Sequence, residues 1–320
     1  MLALLAGLGA TACPAGAAYP GADGRIAFVR HGDIYTVRPD GSGLRRLTFT
    51  ATSTADGLDA TPVWSPNGRE IAYSSLKSGS SDIWVMDADG AHAHRITFSS
   101  EVGETDPTWS PDGRWIAFAS DRGSDPNDPT SAIFKTRATA PHGAPVRLTR
   151  PGVGIYGRMS LDWAPRWSPL GGTVLFTRET PYDGPLSDLE LYTVPSGGGA
   201  ARRVDTGFGD AWLGDWAPRA RAIAWSSDAD SPDEYGGPPL DIWMRAPDGT
   251  IRRVTQTDFI TRYPAWAPSG TRIAYESWTN GETPVSGVWV IRPDGTQAHR
   301  VIGNAGEPDW QPVVVGGGSG

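Results

Sequence analysis

One unit recurs along this chain: Pro-x-Trp-Ser-Pro-Asp-Gly, then Ile-Ala-Phe or Ile-Ala-Tyr, then Asp-Ile-Trp or its tyrosine variant, then Arg-Arg-Leu-Thr. Its opening reads Pro62-Val63-Trp64-Ser65-Pro66-Asn67-Gly68 and Pro107-Thr108-Trp109-Ser110-Pro111-Asp112-Gly113. Reduced copies surround Trp167, Trp216, Trp266 and Trp310, and the steps from one Trp to the next are 45, 58, 49, 50 and 44 residues. Self-similarity at such a period is the mark of a repeat architecture, in which each unit buries its apolar face only against its neighbours.

Each unit holds four short β-type runs. Strand A carries the Pro-x-Trp, strand B is Ile71-Ala72-Tyr73 or its equivalent, strand C is Ile83-Trp84-Val85, and strand D is Arg95-Ile96-Thr97. Asp-Gly and Asn-Gly pairs such as Asn67-Gly68, Asp89-Gly90 and Asp112-Gly113 fill the A–B and C–D turns, and such pairs suit tight turns whose central residues both need positive φ. No ten-residue helix pattern appears. Four strands per unit predict an all-β, six-bladed β-propeller of four antiparallel strands per blade over residues 19–313. The chain opens at strand B (Arg25 to Phe28) and ends on a lone strand A (Pro308 to Gln311), so the C-terminal strand is expected to join the N-terminal blade and close the ring.

These units resemble the repeat of TolB-type propellers, the periplasmic protein of the Tol–Pal envelope system and its stand-alone relatives. The resemblance covers about residues 23–312. It implies envelope protein partners and calcium held in the central channel. It also implies an α/β domain ahead of the propeller, and only about twenty residues stand there in this sequence. Relatives in which such a propeller gates a serine-peptidase domain need a Gly-x-Ser-x-Gly elbow, which this sequence lacks. Lyase relatives use a His-rich metal centre, and the five histidines here are scattered away from the expected pore positions.

Residues 1–18 read as an export signal: an apolar run over Met1–Ala12, too short to span a bilayer, followed by small residues at Ala15-Gly16-Ala17. Cys13 resembles a lipoprotein box in which Ala10 replaces the expected Leu, so cleaved secretion and lipid anchoring both stay open. Residues 314–320 are a Gly/Ser tail. The expected setting is secreted, periplasmic or cell-surface, without a membrane span, and the expected state is a monomer. A single cysteine excludes a disulfide framework, and a net charge of −8 argues against nucleic acid.

A residue that recurs at one blade position serves the fold first. The strand A tryptophans are assigned to packing between blades, Asp33, Asp82 and Asp241 to turn hydrogen bonds, the strand D arginines to charged blunting of edge strands, and His94 and His299 to the outer rim. What is left gathers on the face formed by the B–C and D–A loops, which carries 23 acids and seven bases. A face so polarised orients a cationic partner. The candidate binding residues are Asp228, Asp230, Asp233 and Glu234 in one loop, with Trp163, Trp212 and Trp278, which the repeat leaves unexplained. Asp59, Glu104, Asp106, Asp162, Asp215 and Glu307 stand one, three or five residues before a strand A Trp. Carboxylates crowded there repel one another unless protonated or bridged by a cation, and Ca2+ is the natural ion for an all-oxygen set. No cofactor is required by any motif. The expected function is an envelope protein- or peptide-binding module acting through the acidic loop face. The alternative is a pore-based carbohydrate lyase or hydrolase, with Asp59/Glu104 or Asp162/Asp215 as acid and base.

Overall fold

The computed structural model describes residues 19–50, 59–99, 102–123, 130–139, 143–152, 159–181, 187–207, 209–220, 222–229, 240–257, 259–278 and 286–313. They form six four-stranded antiparallel sheets. Blade 1 takes its strand A from the C-terminus (Gly306–Val313) and its strands B to D from Ala22–Arg30, Asp33–Val37 and Arg45–Arg46. Five blades follow in chain order, with strands A at Asp59–Trp64, Glu104–Trp109, Leu161–Trp167, Ala211–Trp216 and Ile260–Trp266. Pairing of Ile26 with Trp310 and of Ala22 with Val313 closes the ring as the sequence predicts. One 3-10 turn, Pro218–Ala220, is the sole helical element among the described residues.

The strand A tryptophans are the mortar of the ring. Trp109 lies in a cluster with Val63, Ala72 and Val85 of the preceding blade, Trp64 with Ala27 and Ile34, Trp266 with Ala224 and Ile242, and Trp310 with Ala265 and Val288. Each indole thus packs on the sheet before it. Within every blade an aromatic side chain of strand B stands directly opposite one of strand C: Phe28 with Tyr35, Tyr73 with Trp84, Phe118 with Phe134, Phe176 with Tyr192, Trp225 with Trp243, and Tyr275 with Trp289. The Phe28–Tyr35 rings stack at 5.8 Å. Cross-strand aromatic pairs add to area burial and hold each register.

Two local expectations need correction. In the A–B turns of blades 2 and 3 only the glycine has positive φ: Gly68 and Gly113 sit at 66° and 67°, while Asn67 and Asp112 do not. Ser65-Pro66-Asn67-Gly68 is therefore a type I turn with Pro at its second position and a left-handed Gly at its fourth, closed by the Gly68 N–H on the Ser65 carbonyl at 2.9 Å. The strand D arginines also do more than blunt an edge. Arg45 and Arg252 are exposed, but Arg46, Arg95 and Arg253 reach back to Asp33, Asp82 and Asp241 at 2.5–2.7 Å. A threonine two residues on completes each set. Thr255 donates to Asp241 Oδ1 at 2.6 Å and accepts the Ile242 N–H at 2.8 Å. The repeated Asp and Thr are buried, and with the partly exposed Arg they form one latch between strands C and D. Thr255→Val keeps the shape but strands the Ile242 N–H and takes one donor from Asp241, which keeps Arg253 and the Thr257 N–H. It is expected to cost about 1–3 kcal/mol, read as a lower urea midpoint at unchanged slope. An unchanged midpoint would mean the latch carries no stability.

His94 and His299 occupy equivalent exposed rim positions, where each Nδ1 faces the carbonyl oxygen two residues before it.

Candidate functional site

All six strands A break their pairing with strand B at the same place. Thr61, Asp106, Ala164, Leu213, Tyr263 and Glu307, each three residues before its Trp, adopt positive φ of 48–55°. This is a β-bulge repeated around the ring, and it re-aims the side chains that face the axis. None of the six is glycine, so no residue signature announces it.

Two tiers of side chains fill the channel. The tier nearer the B–C and D–A loops includes Asp106, Tyr263 and Glu307, close enough across the ring to shift one another's proton affinity. The tier nearer the A–B turns holds Val63, Thr108, Arg166, Asp215 and Asp309 around a cavity of about 20 Å3, room for one water. Tyr19 closes this end, its hydroxyl donating to the Trp109 carbonyl at 3.1 Å. The channel is therefore plugged at the turn end. Burial pushes the Asp215 carboxyl up to about 6, against the Arg166 charge and the Trp266 N–H. Burial also lifts Asp309 to about 7, with Asp215 adding and the Trp64 N–H opposing. Glu307 reaches about 7 through burial, then through Glu276 and Asp106.

These carboxylates tie blades together. Asp309 Oδ2 accepts the Trp64 N–H at 2.7 Å, Asp215 Oδ2 the Trp266 N–H at 2.8 Å, and Glu307 Oε2 the Thr61 N–H at 2.6 Å. In each case the acceptor and the donor belong to adjacent blades. Asp59, Glu104 and Asp162 are elsewhere. They stand five before the Trp, are turned into the sheets and are buried. Asp59 accepts from the Thr50 hydroxyl, Glu104 pairs with Arg122 at 2.6 Å, and Asp162 takes Arg178 in a two-point contact at 2.6 and 2.8 Å. The six candidate calcium ligands thus fall into two separated sets, and Arg166 already brings a positive charge to the channel acids. Among the described residues no three His, Cys, Asp or Glu side chains are grouped to hold a metal ion. The set does not fit one shared calcium site. Nor is Asp59, Glu104, Asp162 or Asp215 open to a glycan.

Of the proposed binding loop, Asp228 is described, and Asp230, Asp233 and Glu234 lie outside the described residues. Asp228 Oδ1 accepts the Asp210 N–H at 2.9 Å. Burial raises Asp210 to about 6, and Asp228, Asp188 and Glu190 add to the rise. Acidic side chains from blades 4 and 5 therefore do crowd the loop side. Trp163 and Trp212 turn out to share a repeat position, four before the strand A Trp, and Trp163 packs on the core between blades 3 and 4. Trp278 differs. The Arg262 guanidinium lies 5.5 Å from its ring and 5.2 Å from that of Tyr263, while Nη2 binds Glu276 at 3.1 Å.

Arg262 leads to a feature that sequence reading missed. At the seam where blade 6 meets blade 1, a groove of about 400 Å3 opens on the loop side, lined by Arg30, His31, Arg262, Glu276, Asn304 and Glu307 among others. Its floor needs Gly306, where a Cβ would collide with the Glu276 carboxylate. His31, Asn304 and Glu307 all have positive φ there. At this seam the B–C turn of blade 1 (His31–Gly32) and the D–A connection from blade 6 (Asn304–Ala305) are two residues each, the shortest of their kind in the ring, so the six-fold repeat breaks down at it.

Comparison with known proteins agrees with this architecture. Residues 42–139 match the family model described as the TolB beta propeller domain. Over 62 residues the chain is 34% identical to the protein TolB homolog of Chlorobium luteolum, a stretch that is 19% of this chain and 13% of that protein. The crystal structure of TolB from Acinetobacter baumannii superposes with a TM-score of 0.69 at 19% identity, over 90% of this chain and 67% of that one. An oligogalacturonate lyase in complex with manganese shares the fold more loosely, with a TM-score of 0.53 at 15% identity over 84% of this chain and 70% of the other. Among the described residues no helix is long and apolar enough to cross a membrane.

Proposed function

We propose that this TolB-like β-propeller binds a protein or peptide partner of the cell envelope through its loop face. The observation that carries the reading is the groove at the seam of blades 1 and 6. It has the volume of a ligand site and offers convergent polar groups, Arg30, His31, Arg262 and Asn304, beside the aromatic ring of Trp278. The acids of blades 4 and 5 supply a long-range field around it that steers a partner of opposite charge at low salt. The channel below is filled and plugged, which favours a partner resting on the mouth over a substrate passing into the pore.

The test is affinity capture from the envelope fraction at low salt, with residues 19–320 as bait. Two variants run beside it: Asp228, Asp230, Asp233 and Glu234 all changed to Lys, and Arg30→Glu at the groove. A protein retained by the unaltered bait and lost at least tenfold by either variant is the expected result, since close charge pairs at an interface are each worth about 1.5 kcal/mol or more. Equal retention by all three baits would remove the loop face as the binding surface.

A further inference from the structure

The face opposite the groove, formed by the A–B and C–D turns, has its own chemistry. Outside the loop-face segments the chain carries 21 basic and 13 acidic residues. In the C–D turn of blade 1, Arg25 and Arg38 converge on Gly43: a Cβ built there would meet Arg38 Nη1 at 2.8 Å and Arg25 Nη1 at 3.5 Å. Arg25 is held in place by Thr36, through Oγ1 at 3.0 Å and the carbonyl at 3.1 Å, and by the Gly43 carbonyl. Arg45 stands beside them, and burial followed by the Arg45 and Arg38 charges lowers the proton affinity of Arg25. The nearby carboxylate, Asp40, has its Oδ1 on the Ser42 N–H at 2.9 Å.

We propose that the turn face of the propeller docks on an anionic lipid surface, with Arg38, Leu44 and Arg45 at the contact. Clustered arginines alone would suit any phosphate. Leu44 selects the bilayer. It lies between Gly43 and Arg45 and is 44% exposed, and Leu170 on the A–B turn of blade 4 is 66% exposed on the same face. Apolar side chains among cations match an interface in which hydrocarbon lies just beneath phosphates. The chain end agrees. Tyr19 enters the channel from this side, and Gly21 donates to the carbonyl of Pro268 in the blade 6 A–B turn. Tyr19 and Gly21, at the start of the described residues, thus lie on the face that carries the arginines. Docking there turns the acidic loop face and its groove outward.

The surface is independent of the loop-face partner, and its test needs no partner. Residues 19–320, whose ring closes through Ala22–Val313 pairing, are floated with vesicles of phosphatidylcholine alone and with vesicles rich in phosphatidylglycerol, at low and high salt. Binding is expected only to the anionic vesicles, falling as salt rises. Arg38→Glu with Arg45→Glu should weaken it at least tenfold, and Leu44→Ser severalfold, with unchanged melting temperatures because all three side chains are exposed. Arg30→Glu on the opposite face should bind as the unaltered protein does. Equal binding to both vesicle types, undiminished binding by the double variant, or release by millimolar inorganic phosphate at constant ionic strength would overturn the proposal. The last result would reveal a free-anion site in place of a docking surface.

Discussion

Asp162→Ala is expected to destabilise the propeller by about 3–5 kcal/mol, because it leaves Arg178 buried without its counter-charge. The Asp162 side chain is 0% and that of Arg178 14% exposed. The guanidinium is also clamped over the blade 4 aromatic pair, 5.4 Å from the Phe176 ring and 4.9 Å from the Tyr192 ring, so it cannot swing into water. Asp162→Asn, which keeps an acceptor but not the charge, should cost less. Replacing both partners, as Asp162→Leu with Arg178→Met, should recover most of the loss, since a well-packed apolar pair is often no worse than a buried ion pair. Urea denaturation of the four proteins checks this order. If Asp162→Ala shifts the midpoint by the equivalent of less than 1 kcal/mol, the pair is open to water in solution. Loss of glycan turnover in Asp162→Asn at unchanged stability would instead revive the carbohydrate-enzyme alternative.

Asp162 also shows where sequence reading stops. The blade count, the closing strand and the tryptophan mortar follow from a repeat whose period and residue types are each tied to one geometric role. The facing of the strand B and strand C aromatics, by contrast, comes from the register of the sheets. Counting back from the Trp placed Asp162, Asp106 and Asp215 in one ring, as an unbroken strand would. The bulge at the third residue before each Trp separates them, and Thr61, Ala164 or Leu213 at that position gives no local cue because tertiary pairing imposes the strained φ. The arginine that neutralises Asp162 lies 16 residues ahead on strand B, and the one for Glu104 lies 18 ahead in a loop, so neither spacing repeats. The seam groove was illegible in principle from a repeat, since it exists where the repeat fails.

The channel carboxylates predict a pH dependence opposite in sign to that of an ion-paired aspartate. Asp309 titrates near 7 in the folded protein, chiefly through burial, against an ordinary value of 3.8. Between those two pH values the folded state binds a proton that the unfolded state has released. Stability from this group is therefore greatest below about pH 4, falls as pH rises, and reaches its full penalty above about pH 7. Asp309→Asn retains an oxygen for the Trp64 N–H and removes the titration, while Asp215 and Asp106 stay near Arg166. The variant should then be more stable than the unaltered protein at pH 8, by about 2–4 kcal/mol, with the gap closing towards pH 4. Stability curves of the two proteins across that range decide it. A gap independent of pH would mean that Asp309 does not titrate there. A destabilised variant at pH 8 would mean that the Arg166 charge needs the Asp309 carboxylate more than burial disfavours it. That outcome would make the channel a conventional ion-pair network, and it would assign to Arg166 the neutralising role that the crowded acids first suggested for calcium.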